Sequence, residues 1–580
     1  METLNCYSMK KYILTSLFAL LLPLCALAHD FVVDGVCYNV ISEEHKLCEV
    51  TYFKKESGEL HQNFYKDVVF IPETVDFDGK RYFVSAIGQY AFHSQNELLS
   101  VVMPKTIRTI DIAAFYRCEK LNSLTIPAGV EKIEFGAFMS LVSLKYLAVD
   151  EGNKVYDSRN GCNAIIETET NTLLIGCKST TIPDGVEVIE SNAFEPISSR
   201  GGKSVTWDIP GSVKVIKEYA FHSCDWLSAV TLHDGLEEIG EQAFWGTSIE
   251  SIVIPKTVKK IDPAAFNRTN LLKSIKVEKG NKVYDSRQGC NAIIESATHR
   301  LLVACSGTTI PDDVRIIGEG SFNGIQVTDV IIPQSVVEIE DCAFFSCAMK
   351  GRLLVPGSVK RIGKQAFSVS KIDELVLEEG VEAIGNSAFS QCRNLRRIKL
   401  PASLKMFGSG KGEVKMFAGC ELLEEIDLSI DNPYYFSNGY CIVEKSTLTL
   451  IAGIGLGQCW LHRGMQEYSP KRIAKGAFYD LYYLKNIYLP ETIEEIEQDA
   501  FKECSSIEYL YCGAKIPPLL AENFKHIAKR HLPFHERVEL VVPEGTLEAY
   551  RNAPGWKDFK HIRELVVTHS CDKFYIPVVQ

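Results

Sequence analysis

The chain has 580 residues, 46% of them hydrophobic and 23% charged, with a formal net charge of −12. Acidic and basic residues are interspersed, which leaves no basic stripe for nucleic acid and no cationic amphipathic helix for a membrane surface. A length of 580 residues ordinarily divides into about three or four globular domains; an internal repeat replaces that expectation, because a solenoid grows by stacking coils and not by adding cores.

Residues 1–28 read as a signal peptide. Lys10 and Lys11 precede an apolar run, Tyr12–Leu24, and Ala26-Leu27-Ala28 is a small-residue cleavage site, so the cut is expected between Ala28 and His29. A lipoprotein signal on Cys25 is the rival reading, and Leu24 before it is too bulky for that motif. No later run reaches the ~18 apolar residues of a spanning helix. The protein is expected to be exported: extracellular, at the cell surface or periplasmic.

Residues 29–85 form a β-rich N-terminal cap outside the repeat. Phe31–Val40 alternates around an Asp34-Gly35 turn, Cys48–Tyr52 returns, and Ile71-Pro72 and Tyr82-Phe83-Val84 follow. A solenoid needs such a cap because its first coil exposes apolar interior and an unpaired strand edge.

Residues 86–515 carry the repeat, written most clearly in Leu121–Phe138: L-x-x-L-x-I-P-x-x-V-x-x-I-x-x-x-A-F. Its anchors include Phe92, Phe115, Phe138, Phe221, Phe244, Phe344, Phe367, Phe478 and Phe501, mostly 22–23 residues apart. The L-x-I-P piece alternates as a strand ended by proline, which cannot donate the next ladder bond. The V-x-x-I-x-x-x-A-F piece has apolar positions near helical spacing and is expected to return as a short helix or tight turn. Six cysteines stand three residues after an anchor (Cys118, Cys224, Cys347, Cys392, Cys420, Cys504) and read as small buried side chains. No close Cys/His cluster suggests a metal.

Insertions near 150–180, 278–308 and 430–468 read as β-hairpins. Gly152–Glu167 and Gly280–Glu295 differ at one position in sixteen. Cys162 and Cys177 lie equidistant from the turn, as do Cys290 and Cys305. Facing positions in an exported chain suggest the disulfides Cys162–Cys177 and Cys290–Cys305. Residues 516–580 read as a C-terminal cap and tail: Val541-Val542-Pro543, Tyr550, Trp556 and Phe559 close the last coil, and 566–580 has no assignable role.

The repeat, the D-G-V-x-Y opening, the N-x-x-Y-x-x-x-x-G hairpin and the aromatic close resemble the BspA-like leucine-rich repeat surface proteins of bacteria. The resemblance implies an α/β repeat: a leucine-rich-repeat solenoid with parallel strands stacked on a concave face. It also implies adhesion to host or extracellular protein or glycan partners.

The chain contains no HExxH, G-x-S-x-G or Walker loop, and Gly453-Ile-Gly455-Leu-Gly457 lacks the strand–helix context of a dinucleotide site. No catalytic residue, cofactor or metal is expected, and the protein should be a monomer. A structural surface-layer protein is the alternative, and a hydrolase with residues dispersed over the coils a weaker one. Two candidate binding surfaces remain. The middle residue of L-x-I-P faces outward, giving an apolar stripe of Val253, Ile331, Leu354 and Val376, with Tyr488 farther on. The paired hairpins present Tyr156, Arg159 and Asn163, and again Tyr284, Arg287 and Asn291.

Overall fold

In the computed structural model, the described residues are 29–53, 63–194, 204–408, 415–455, 457–461, 467–521 and 533–565. The signal segment with Cys25 and Ala28, and the tail from 566, lie outside them. Two compact units, Met1–Gly202 and Lys203–Gln580, are each taken by themselves.

One coil shows how the repeat folds. Strand Ser123–Ile126 buries Leu124 and Ile126 and leaves Ser123 and Thr125 half-buried on the other face. After Pro127 the chain turns, buries Val130, and forms a two-residue strand, Lys132–Ile133. That strand pairs in parallel with Thr109–Ile110 of the preceding coil. A coil of this kind therefore contributes to two parallel ladders, one of long strands and one of very short ones; the coils at 179–183, 307–311 and 326–333 lack the long strand.

The return segment is a tight turn, the second of the two forms expected from the apolar spacing, and not a short helix. The residue two before the anchor phenylalanine has positive φ in thirteen of the fourteen coils, among them Tyr90, Ala113, Tyr219, Gln242 and Cys342. The residue two after it is also left-handed, as at Ser94, Arg117, Ser223, Ser346 and Glu503. A left-handed residue breaks the i→i−4 bonding of a helix. It instead turns successive N–H groups to one side. Tyr90, Phe92 and Ser94 donate to the carbonyls of Ile112, Ala114 and Tyr116 one coil on. The architecture is thus a leucine-rich-repeat solenoid that is almost wholly β. Among the described residues the α-helices are Phe534–Arg537 and Leu547–Asn552, both in the C-terminal close.

The anchor phenylalanines stack from coil to coil, Phe92 on Phe115 at 5.0 Å and Phe344 on Phe367 at 5.1 Å. That spacing is close to the ~4.8 Å between strands, so one ring per coil fills the interior without a gap. The repeat cysteines are buried and mostly hydrogen-bonded. Cys118, Cys392, Cys420 and Cys504 each direct Sγ to the carbonyl of the preceding coil's phenylalanine: Phe92, Phe367, Phe389 and Phe478. Thr269 stands in the same place and bonds Phe244 and Phe266.

In the N-terminal unit, Phe31–Val33, Val36–Ser42 and Leu47–Thr51 form an antiparallel meander. Asp34 and Gly35, both with positive φ, make its first turn, as Asp-Gly does in hairpins. Leu47–Thr51 continues in parallel onto Lys80–Ile87. The coil ladder starts earlier than residue 86: strand Lys66–Phe70 pairs in parallel with Glu97–Val102.

The insertions are hairpins, Ala164–Glu167 with Thr172–Gly176, Ala292–Glu295 with Arg300–Ala304, and Cys441–Glu444 with Thr449–Gly453. The disulfides expected in the first two are not formed; Cys162, Cys177, Cys290 and Cys305 are free thiols. A register shift between Ile165 and Ile166 sets Ala164 opposite Gly176. Cys177 then falls beside Asn163, whose carbonyl lies 3.7 Å from its Sγ, while Cys162 turns toward Ala164 O. The second hairpin repeats the shift at Ile293/Ile294.

The C-terminal unit closes on Glu539–Val542 and His561–Glu564, stacked in parallel on Tyr509–Cys512. Trp556 is fully buried and donates from Nε1 to Pro518 O at 2.7 Å, and the Tyr550 hydroxyl donates to Ala514 O at 2.7 Å.

Candidate binding face

The expected apolar stripe does not form. Val253 is exposed, but its neighbour across the ladder is Lys276. Ile331 is 83% exposed and lies outside any strand. Leu354 pairs with Val376, which is only 8% exposed, and the row continues into Lys399 and Asp427. Tyr488 is buried, stacked on Tyr511 at 4.4 Å, and burial pushes its phenol up to about 12. Strand direction alone did not predict which outward positions neighbouring coils would cover.

The duplicated hairpin residues are engaged in hydrogen bonds within the fold. Tyr156 and Tyr284 are buried, and their hydroxyls accept the N–H of Ile133 and Ile261 in the preceding coil, each at 3.0 Å. Arg159 grips Asp157 through Nε and a terminal nitrogen at 2.8 and 2.6 Å and reaches Asn171. Arg287 does the same with Asp285 and adds Asp313 at 2.6 Å. These partners, first the hydrogen bonds to Asp285, raise the Arg287 guanidinium pKa. Asn153, Asn281 and Asn432 begin the three hairpins. Each donates from Nδ2 to two carbonyls of the preceding coil and accepts two N–H groups of its own hairpin. The near-identity of the first two hairpins therefore has a structural reason: their shared Asn, Tyr and Asp–Arg side chains either dock the hairpin on the preceding coil or hold its own turn.

The outward apolar face that exists lies elsewhere, on the four-stranded sheet of the N-terminal unit. Its strands are Lys66–Phe70, Glu97–Val102, Ser123–Ile126 and Tyr146–Val149, in that order. Val69 and Val101 point into the core. Register sets Phe70 beside Val102 and Val68 beside Ser100. Ser100 continues to Ser123 and Tyr146, and Thr125 pairs with Ala148. Phe70 is 70% exposed, and Val68, Val102 and Tyr146 are each 44–56% exposed. Outward positions of a half-solvated sheet are ordinarily polar, and contiguous exposed apolar side chains mark interaction surfaces.

The sheet ends differently on its two sides. At Tyr146–Val149 the left-handed Asn163 acts as a strand: Oδ1 accepts the Leu147 N–H at 2.7 Å and Nδ2 donates to Lys145 O at 2.8 Å. At Lys66–Phe70 no such closure exists among the described residues. A cleft of about 560 Å³ opens there, lined by the Val33–Val36 turn, Tyr38, Tyr65 and Phe70. Tyr65 is fixed in its wall: the hydroxyl donates to Thr51 O at 2.8 Å and accepts from Cys37 N, and burial raises its phenol pKa strongly. The motif at Ile71-Pro72 was the available signal. Val69-Phe70-Ile71-Pro72 is an L-x-I-P strand with phenylalanine in the outward position, inside the stretch read as the cap.

Among the described residues, no helix is long and apolar enough to cross a membrane, and no group of three or more His, Cys, Asp or Glu is placed to hold a metal. No curated protein matches the chain. Among solved structures it is similar to a leucine-rich cell surface protein from Faecalibacterium prausnitzii, with 21% identity over 83% of this chain and 93% of that one (TM-score 0.35). A leucine-rich repeat protein from Bacteroides ovatus shows 19% identity over 93% and 100% of the two chains (TM-score 0.32). The pneumococcal vaccine antigen PcpA shows 17% over 94% and 100% (TM-score 0.26). The model of the BspA type leucine rich repeat region matches residues 85–196, 200–299, 292–424 and 458–538, in six copies. With that match spanning most of the stacked coils described above, the chain belongs to the BspA-type leucine-rich repeat family.

Proposed function

We propose that this protein is an exported, non-catalytic binding module of the adhesion type. It engages a host or extracellular protein or glycan through the outward face of its N-terminal sheet. The observation that carries the reading is the row of Phe70 and Val102 beside Val68 and Tyr146: exposed apolar side chains in register on a rigid, hydrogen-bonded sheet. A rigid platform binds without the entropic cost of ordering loops, and aromatic anchors carry much of the energy of such contacts. The signal-like segment 1–28 supports export.

The test is capture from extracellular-matrix and serum proteins and from a glycan array, using residues 29–580 and the double variant Val102→Glu/Tyr146→Glu. Both side chains already touch water, so the variant should fold. A partner retained by the parent and lost by the variant is the expected result. Equal capture by both would remove the site from this face, and no capture at all would overturn the adhesion reading.

A further inference from the structure

The outer edge of strand Lys66–Phe70 is a place where a strand is missing. Ile71 N–H donates to Val102 O at 3.0 Å. Because N–H and C=O groups alternate sides along a strand, those of Val68 and Phe70 point away from Glu97–Val102. Among the described residues the strand pairs with no other. The opposite edge is closed by Asn163; this one faces the cleft beside the Val33–Val36 turn. Open edges of this kind are ordinarily blunted, because they template pairing with another chain. Asp34 and Lys66, which line the cleft, are in no ion pair among the described residues.

The chain also carries a segment with the matching chemistry. Fifteen residues follow Leu565, and they end Lys573-Phe-Tyr-Ile-Pro-Val-Val-Gln580. Phe574, Ile576 and Val578 alternate as strand residues do, and aromatic and β-branched types favour extended backbone. Pro577 is tolerated in a strand paired on one side only. Lys573 carries the charge opposite to that of Asp34.

We propose that Phe574–Val579 of a second copy of this chain adds as a strand to the free edge of Lys66–Phe70, with alternate side chains in the cleft, joining copies head to tail. Strand addition of this type takes affinity from main-chain hydrogen bonds and specificity from pockets for alternate side chains. A contact between two different surfaces propagates into a filament unless its rotation closes a ring. The inference departs from the expected monomer. It does not rest on the adhesion reading, since it uses the main-chain groups of the edge; Phe70 belongs to both, and the tail variant, which leaves the whole face intact, separates the two.

The test uses residues 29–580 in three forms: the parent, an edge variant Phe70→Glu, and a tail variant Phe574→Ser/Ile576→Ser/Val578→Ser. Mass is followed by light scattering against concentration, with circular dichroism to confirm folding. The parent should grow beyond a monomer, and each variant alone should associate about tenfold more weakly or not at all. Mixed, the two variants should form a 1:1 dimer and stop, since only one working edge and one working tail remain. Val68→Pro, which removes an outward N–H without touching the paired side, gives the same readout by a second route. A parent that stays monomeric, association that survives in both edge variants, or a mixture that fails to pair would each overturn the proposal. A monomeric parent that refuses a synthetic Cys571–Gln580 peptide which the tail variant binds would place the tail on its own molecule, and would overturn the second-copy assignment.

Discussion

The Sγ of Cys504 lies 2.7 Å from the main-chain oxygen of Phe478, one coil before it. The same contact recurs from Cys118 to Phe92 and from Cys392 to Phe367, and a threonine hydroxyl makes it at Thr269. Where the position three after the anchor is Cys or Thr, a small side chain thus donates a hydrogen bond to a buried carbonyl, whereas Leu141, Ile325 and Leu481 fill the same place with apolar bulk. Cys504→Thr should be nearly neutral, and Cys504→Val, of the same shape but with no donor, should cost about 1–2 kcal/mol. Urea unfolding midpoints of the two variants check this.

Asn432 is fully buried and makes four hydrogen bonds, two to the carbonyls of Pro401 and Leu404 and two from the N–H groups of Tyr434 and Tyr435. Asn432→Ala strands four main-chain groups in the interior and should cost about 3 kcal/mol or more. Asn432→Asp should not rescue it, since a carboxylate would face two carbonyl oxygens. Hydrogen exchange at Tyr434 and Tyr435 should accelerate in both variants.

His222 packs its ring on Trp245 at 4.5 Å, and burial lowers its pKa to about 4. The folded state therefore favours the neutral ring. Its contribution is fully present above the unfolded value of ~6.5 and is lost as pH falls from there toward 4, on the order of 2 kcal/mol after allowance for partial exposure. In a His222→Gln variant the extra loss of thermal stability between pH 7 and pH 4.5 should shrink relative to the parent. An unchanged difference between the two pH values would show that the ring does not carry it.

Burial raises the thiol of Cys118 to about 12, that of Cys504 to about 12 and that of Cys392 to about 11. Such thiols carry almost no thiolate near neutral pH. Iodoacetamide should leave the sixteen described cysteines of the native protein unmodified. In denaturant without reductant it should modify all seventeen of residues 29–580, the chain's nineteen less Cys6 and Cys25. Two unmodified cysteines at Cys162 and Cys177 would show a bridge formed after folding.

The solenoid was legible in the sequence because a coil buries the same positions every time it recurs. Leu124, Ile126, Val130 and Phe138 are inside for the reason their spacing suggests, and proline ends each strand because it lacks an N–H. The hairpins were legible from apolar runs around a polar turn. Whether the return is a helix or a turn was not, because Val130, Ile133 and Phe138 have helical spacing and the left-handed residue between them, Gly136 here and Tyr90 or Gln242 elsewhere, carries no single-letter signature.

Side-chain identity and repeat spacing thus determined by themselves which residues face the interior. The tertiary structure alone decided which outward residues meet water. Val376 and Phe70 occupy the same place in L-x-I-P; Val376, on an interior strand, is 8% exposed, and Phe70, on the last strand of its sheet, is 70% exposed. The disulfides failed for a related reason: a one-residue shift of register moved Cys177 from Cys162 to Asn163. Exposure and register depend on which segment lies alongside, and that neighbour is remote in sequence, so no local pattern encodes it.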